Sequence, residues 1–81
     1  MPAARMYVSV KDIAAYLGIS RPPALAIMHV FQAAGKTIVA DGKGTLKVDS
    51  RTFANWIADN NGKSRNEEHS MLKSWLRENA A

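Results

Sequence analysis

The stretch Val8-Ser9-Val10-Lys11-Asp12-Ile13-Ala14-Ala15-Tyr16-Leu17-Gly18-Ile19-Ser20-Arg21 restricts the fold more than any other part of the chain. Val10, Ile13, Ala14 and Leu17 fall at i, i+3, i+4 and i+7, the spacing of one helix face. Ser9 stands where an N-cap is needed, and Asp12 three residues on approximates the reciprocal partner of a capping box. Val8 and Ile13 are spaced to close a hydrophobic staple over the same turn. The spacing therefore predicts a helix over about 10–17, stopped by Gly18. A second apolar-periodic run follows within a few residues. A short helix, a tight turn containing glycine and a second helix form a helix-turn-helix pattern.

The second helix has two possible starts. Ser20 is a suitable N-cap, but Pro22 disfavours helical angles at Arg21, and Pro23 does the same to Pro22. A start with Pro23 at N1 avoids both conflicts. From either start, Ala24, Ile27, Met28 and Phe31 form the inward stripe, and Gly35 reads as the residue just past the helix end. Thr37–Ala40 and Thr45–Val48 are rich in β-branched residues and flank Asp41-Gly42-Lys43-Gly44, which together predict a hairpin. Met6–Val8 is placed to add a third strand. Asp49 or Ser50 then caps a helix to about Asp59, with Phe53, Trp56 and Ile57 directed inward. Residues 60–65 are polar and turn-rich. A last helix over about 66–78 carries Met71, Leu72, Trp75 and Leu76 on one side, with Glu67 and Glu68 near its start and Arg77 near its end, as the helix dipole favours.

These elements predict a mainly α fold with a small β-hairpin, a winged helix-turn-helix with an extra C-terminal helix. The expected organisation is a domain over 1–59, a short polar linker over 60–65 and an amphipathic helix over 66–81. With 81 residues, a core this small needs the apolar face of every helix. The chain has no cysteine, so neither a disulfide framework nor a thiolate metal site is available. His29 and His69 are far apart and supply no zinc set. No apolar run approaches the roughly 18 residues of a membrane span. Met1-Pro2-Ala3-Ala4-Arg5 lacks the apolar stretch of a signal peptide, so the expected location is the cytoplasm or nucleoid of a bacterium. The carboxylates are dispersed over caps, turns and surface, and no pair is spaced for acid–base chemistry. Gly35-Lys36-Thr37 resembles the end of a phosphate loop only superficially, because Val30 stands where its first glycine belongs. The expectation is a protein without catalysis, cofactor, metal or small-molecule substrate. The formal net charge of +4 directs attention to a polyanionic partner.

The opening segment, the glycine-containing hairpin and the closing Val48-Asp49 with Phe53-Ala54-Asn55-Trp56-Ile57 resemble excisionase-type and MerR-like DNA-binding domains. The resemblance spans about Tyr7 to Asp59. It implies that the second helix enters the major groove of duplex DNA while the hairpin wing meets the minor groove or the backbone. By position it assigns Ser20, Arg21, Leu25, Ala26, His29 and Gln32 to the groove-facing side, and Lys43 and Lys47 to the wing. Lys36 and Arg51 would reach flanking phosphates. The C-terminal stripe of Met71, Leu72, Trp75 and Leu76 would fold back on the domain, pair with a second copy or dock on another protein such as a recombinase.

The sequence departs from that pattern in its second helix. Family members carry several Arg, Lys, Asn or Gln side chains there, whereas this helix offers only Arg21, His29 and Gln32 for polar contact, and base readout needs such groups. Three roles follow as expectations. The preferred one is an excisionase-like directionality factor or transcriptional regulator of a phage or mobile element. The others are a protein-binding module of the inhibitor or anti-repressor kind and a small terminase-like packaging subunit.

Overall fold

The computed structural model describes residues 6–40 and 45–79. Among these residues the element order is β1 (Tyr7–Ser9), α1 (Val10–Leu17), α2 (Arg21–Ala33), β2 (Thr37–Ala40), β3 (Thr45–Asp49), α3 (Ser50–Asn61) and α4 (Arg65–Asn79). The protein is mainly α with a small three-stranded antiparallel sheet of order β1-β3-β2. No described helix is long and apolar enough to cross a membrane.

Local chemistry accounts for the helix ends. The Ser9 hydroxyl accepts from the Asp12 amide at 3.3 Å, and the Asp12 carboxylate accepts from the Ser9 amide at 3.1 Å, so the expected capping box is complete. At the other end Gly18 has φ +67°, a left-handed angle that glycine adopts without a Cβ penalty. This lets the Ile19 amide reach back to the Ala14 carbonyl at 2.9 Å and turns the chain toward α2. Of the two starts open to α2, the earlier one is found, with Ser20 as N-cap and Arg21 the first helical residue. The prolines are tolerated because the first four amides of a helix have no partner within it. The first amide that needs one, that of Ala24, bonds the Ser20 carbonyl at 3.4 Å. At the far end the Gly35 amide donates to Gln32 at 3.0 Å and the Lys36 amide to Phe31 at 2.9 Å, the paired bonds of a Schellman motif.

The sheet is assembled around β3. Val8 and Thr37 flank Val48 from its two neighbours, while Ser9 and Ile38 flank Lys47. Strand alternation therefore turns Val8 and Val48, both fully buried, to one face, and Ser9, Lys47 and Ile38 to the other. The anticipated hairpin strands and third strand are present. The turn over 41–44, with Lys43, lies outside the described residues.

A single core collects Val8, Val10, Ile13, Ala24, Met28, Phe31, Val48, Phe53, Ala54, Ile57, Leu72 and Leu76. Phe53 is fully buried and meets Phe31 edge-on at 6.2 Å, Tyr16 edge-on at 6.2 Å and Trp56 in a stacked arrangement at 6.5 Å. Tyr16 in turn meets Trp75 edge-on at 5.4 Å.

Of the three arrangements open to the C-terminal stripe, this core shows it folded back on the domain. α4 does not stand apart behind a linker over 60–65. It packs on α3, and only 62–64 separate the two helices. Leu72 is fully buried and Leu76 is 7% exposed, so neither is available to a partner or a second copy. Trp75 is half-buried against Tyr16, which leaves Met71, 53% exposed, as the open member of the predicted stripe. The physical reason is the small size of the 1–59 core, which needs the apolar face of α4 to cover α3. Glu68, expected only as a charge favourable to the helix start, is buried at 2% exposure and accepts a 2.6 Å hydrogen bond from the Tyr16 hydroxyl. Burial, followed by the adjacent carboxylate, pushes the Tyr16 pKa upward and keeps this hydroxyl a donor.

Two substitutions test the integration of α4. Leu72→Ala is expected to cost about 2–5 kcal/mol in urea unfolding, with one cooperative transition for the whole chain. Tyr16→Phe is expected to cost about 1–3 kcal/mol, because it leaves the Glu68 carboxylate buried without its donor. Separate transitions for α4 and the remainder would contradict the single core.

Candidate nucleic-acid interface

A groove of about 400 Å³ opens where three elements meet. Ser9 lines it as the N-cap of α1, Val10 and Lys11 from the start of that helix, Arg21 and Leu25 from the start of α2, and Thr45 and Leu46 from the beginning of β3. The Gly18 turn sets the approach of α1 and α2, and the β1–β3 pairing holds the base of the hairpin beside them. The groove thus brings the first turn of α2 and the Thr45–Leu46 end of the hairpin, the end away from Thr37 and Val48, to one side of the molecule. Arg21 and Lys11 are both exposed there.

At 3.6 residues per turn, Arg21, Leu25, His29 and Gln32 fall within an arc of about 80° on α2. The three polar groups of the helix consequently share one flank, continuous with the groove through Arg21 and Leu25. Leu25 is half-buried, whereas Ser20, Arg21, Ala26, His29 and Gln32 are exposed. The outermost face of the helix is different in character, with Pro22, Ala26 and Ala33 all exposed. Val30, further round, is 56% exposed.

The other expected cations are distributed. Lys47 lies on the outer face of the sheet, half-buried between Ser9 and Ile38. Lys36 and Arg51, expected at flanking phosphates, do not line the groove. Lys36 precedes Thr37, which pairs with Val48 near the α3 end of β3. It lines a separate recess with Phe31, Thr52, Asn55, Trp56, Asp59 and Arg65. Arg51, on the first turn of α3, follows Ser50, whose hydroxyl is 3.4 Å from His69 Nε2 of α4. Thr45 and Asp49 are separated by about 14 Å along β3, so the Arg51 end of the sheet is remote from the groove. Register causes this separation: a residue at the start of β2 faces the end of β3, not its beginning.

Sequence reasoning did not single out Lys11 as a site residue. Its signal was its place two residues after the Ser9 cap, in the first turn of α1. The signal became legible only when Thr45 and Leu46 were seen beside it. Reasoning from sequence also assigned no role to His69. Its Nε2 lies 3.4 Å from the Ser50 hydroxyl. Partial burial, then the positive charges of Arg51 and Lys73, hold its pKa below the ordinary value, with Asp49 opposing them.

The folded state therefore favours neutral His69, and the unfolded chain takes up the proton first as pH falls. Stability is expected to be level above about pH 7 and to decline as pH drops through about 6.5 and below. His69→Gln should flatten that part of the profile, read as the urea midpoint at a series of pH values. An unchanged slope would contradict the placement of His69 between two cations. Compared with models of protein families, with curated proteins and with solved structures, the chain matches none.

Proposed function

We propose that this chain is a winged helix-turn-helix protein that binds double-stranded DNA and catalyses no reaction. In this reading α1 and α2 are the helix-turn-helix, α2 lies toward the major groove, and the β2–β3 hairpin is the wing. The observation that carries it is the shared groove, in which Lys11 and Arg21 stand beside Thr45 and Leu46 at the beginning of β3. A duplex following that groove meets Arg21 and the His29–Gln32 flank on one side and the hairpin on the other. Phosphate contacts from Lys11, Arg21 and Lys47 would supply most of the affinity, with Lys43 of the hairpin turn as a fourth. The short polar flank of α2 provides modest base readout, so shape and deformability of the site carry a large part of the preference. An excisionase-like architectural role or a regulatory role at a mobile element fits such a module. Neighbouring copies or a recombinase would raise its affinity.

A protein-binding role is the second reading. It is favoured by the apolar outer face of α2, where Pro22, Ala26, Val30 and Ala33 are exposed.

Fluorescence anisotropy with a short duplex separates the two. With three or four phosphate contacts, log affinity against log salt should slope at about −3 to −4. Lys11→Ala and Arg21→Ala should each weaken binding by about fivefold to tenfold at moderate salt, and Arg21→Ala should also blur the preference found by selection from random duplexes. A salt-insensitive complex, or no binding at low salt, would remove DNA as the partner and leave the protein-binding reading.

A further inference from the structure

A second group of basic side chains lies outside the groove. On α4, His69, Lys73 and Arg77 recur at every fourth position and so form one row along the helix. Ser70 and Ser74 run beside the row, and with Lys73 and Arg77 they line a shallow depression. Arg51 of α3 reaches the same row, near enough for its charge and that of Lys73 to act on His69. Such spacing normally pairs opposite charges, and like charges at i and i+4 are destabilising. At about 100° per residue, Glu67 and Glu78 fall on the far side of the helix from the row, and Glu68 is buried against Tyr16. Among the described residues the ion pair within 4.0 Å is Arg65–Asp59, at 2.9 Å, and it includes no member of this group. Asp49 is the carboxylate that acts against the cations at His69. Lys73 and Arg77 therefore carry a repulsion that a neighbouring phosphate would relieve.

We propose that Arg51, His69, Lys73 and Arg77 form a second contact surface for the phosphate backbone, which allows one copy of the protein to hold two segments of duplex DNA. The inference rests on the reading of the groove as the first DNA surface. The two surfaces sit at opposite ends of β3, with Thr45 at the groove and Asp49 beside the row, about 14 Å apart along the strand. The groove is built by α1, α2 and the hairpin, whereas the row is built by α3 and α4. Duplex DNA is the fitting occupant because its phosphates recur at a regular interval and are always charged. The surface is also linked to protons. A phosphate beside His69 offsets Arg51 and Lys73 and lets the imidazole charge, while Asp49 and the Ser50 hydroxyl face it from the α3 side. Holding of the second segment should thus tighten as pH falls from about 7.5 to about 5.5.

A two-duplex capture assay with the full chain tests this. One short duplex is fixed on beads and a second, fluorescent duplex is free. Wild type should bring the fluorescent duplex to the beads, more at the lower pH. Arg51→Ala/Lys73→Ala/Arg77→Ala should reduce that capture by about fivefold or more, while its affinity for a single duplex changes by less than about threefold. Circular dichroism confirms that the variant is folded. His69→Gln should retain capture at the higher pH and lose the gain at the lower one. No capture by wild type, or capture undiminished in the folded triple variant, would overturn the proposal. Failure of the groove reading shows separately, as single-duplex affinity untouched by Lys11→Ala/Arg21→Ala/Lys47→Ala.

Discussion

The fold depends on the burial of Phe53. Its ring is in contact with Phe31 of α2, Tyr16 of α1 and Trp56 on its own helix, so α3 and the two helices that border the groove meet at one side chain. Aromatic pairs in edge-on and offset geometry contribute beyond the area they bury, and they also restrict the angles at which helices cross. Tyr16 extends the contact to Trp75 and thereby to α4. In a core of so few residues this aromatic chain does more than fill space. It determines where α2 lies relative to the sheet, and so where Arg21 stands relative to the hairpin.

The Tyr16–Glu68 hydrogen bond adds a polar constraint to that apolar one. A buried carboxylate is costly unless it is hydrogen-bonded, and the Tyr16 hydroxyl is the donor that α1 presents. The same tyrosine therefore serves the core through its ring and α4 through its hydroxyl. This double use explains why α4 belongs to the domain. It also leaves the exposed flank of α4 free for other purposes, and that flank carries the basic row.

Charge is arranged on this small body by register. β2 and β3 run antiparallel, so Lys36 at the start of one strand lies near Asp49 at the end of the other, while Thr45 and Leu46 open onto the groove. The net charge of +4 is consequently not one patch. Lys11 and Arg21 are at one end of the sheet, and Arg51 with Lys73 is at the other. The chain thus carries basic groups on two surfaces of different construction, one concave between a helix and a hairpin, the other a row along a helix.

Much of the local structure was legible in the residues. The Ser9–Asp12 box, the Gly18 turn, the Gly35 stop and the β-branched runs around residues 41–44 act within a few positions of themselves, and each element formed close to where those signals place it. The start of α2 was not legible, because the proline penalty and the cap preference oppose each other, and the outcome turned on the Ala24 amide finding the Ser20 carbonyl. Only the tertiary structure decided which cations share a surface. It also decided that Leu72 and Leu76 belong to the core and that Lys11 borders the groove. Periodicity identifies the apolar face of a helix, but what covers that face depends on helices and strands distant in the chain, and a single sequence does not record their approach.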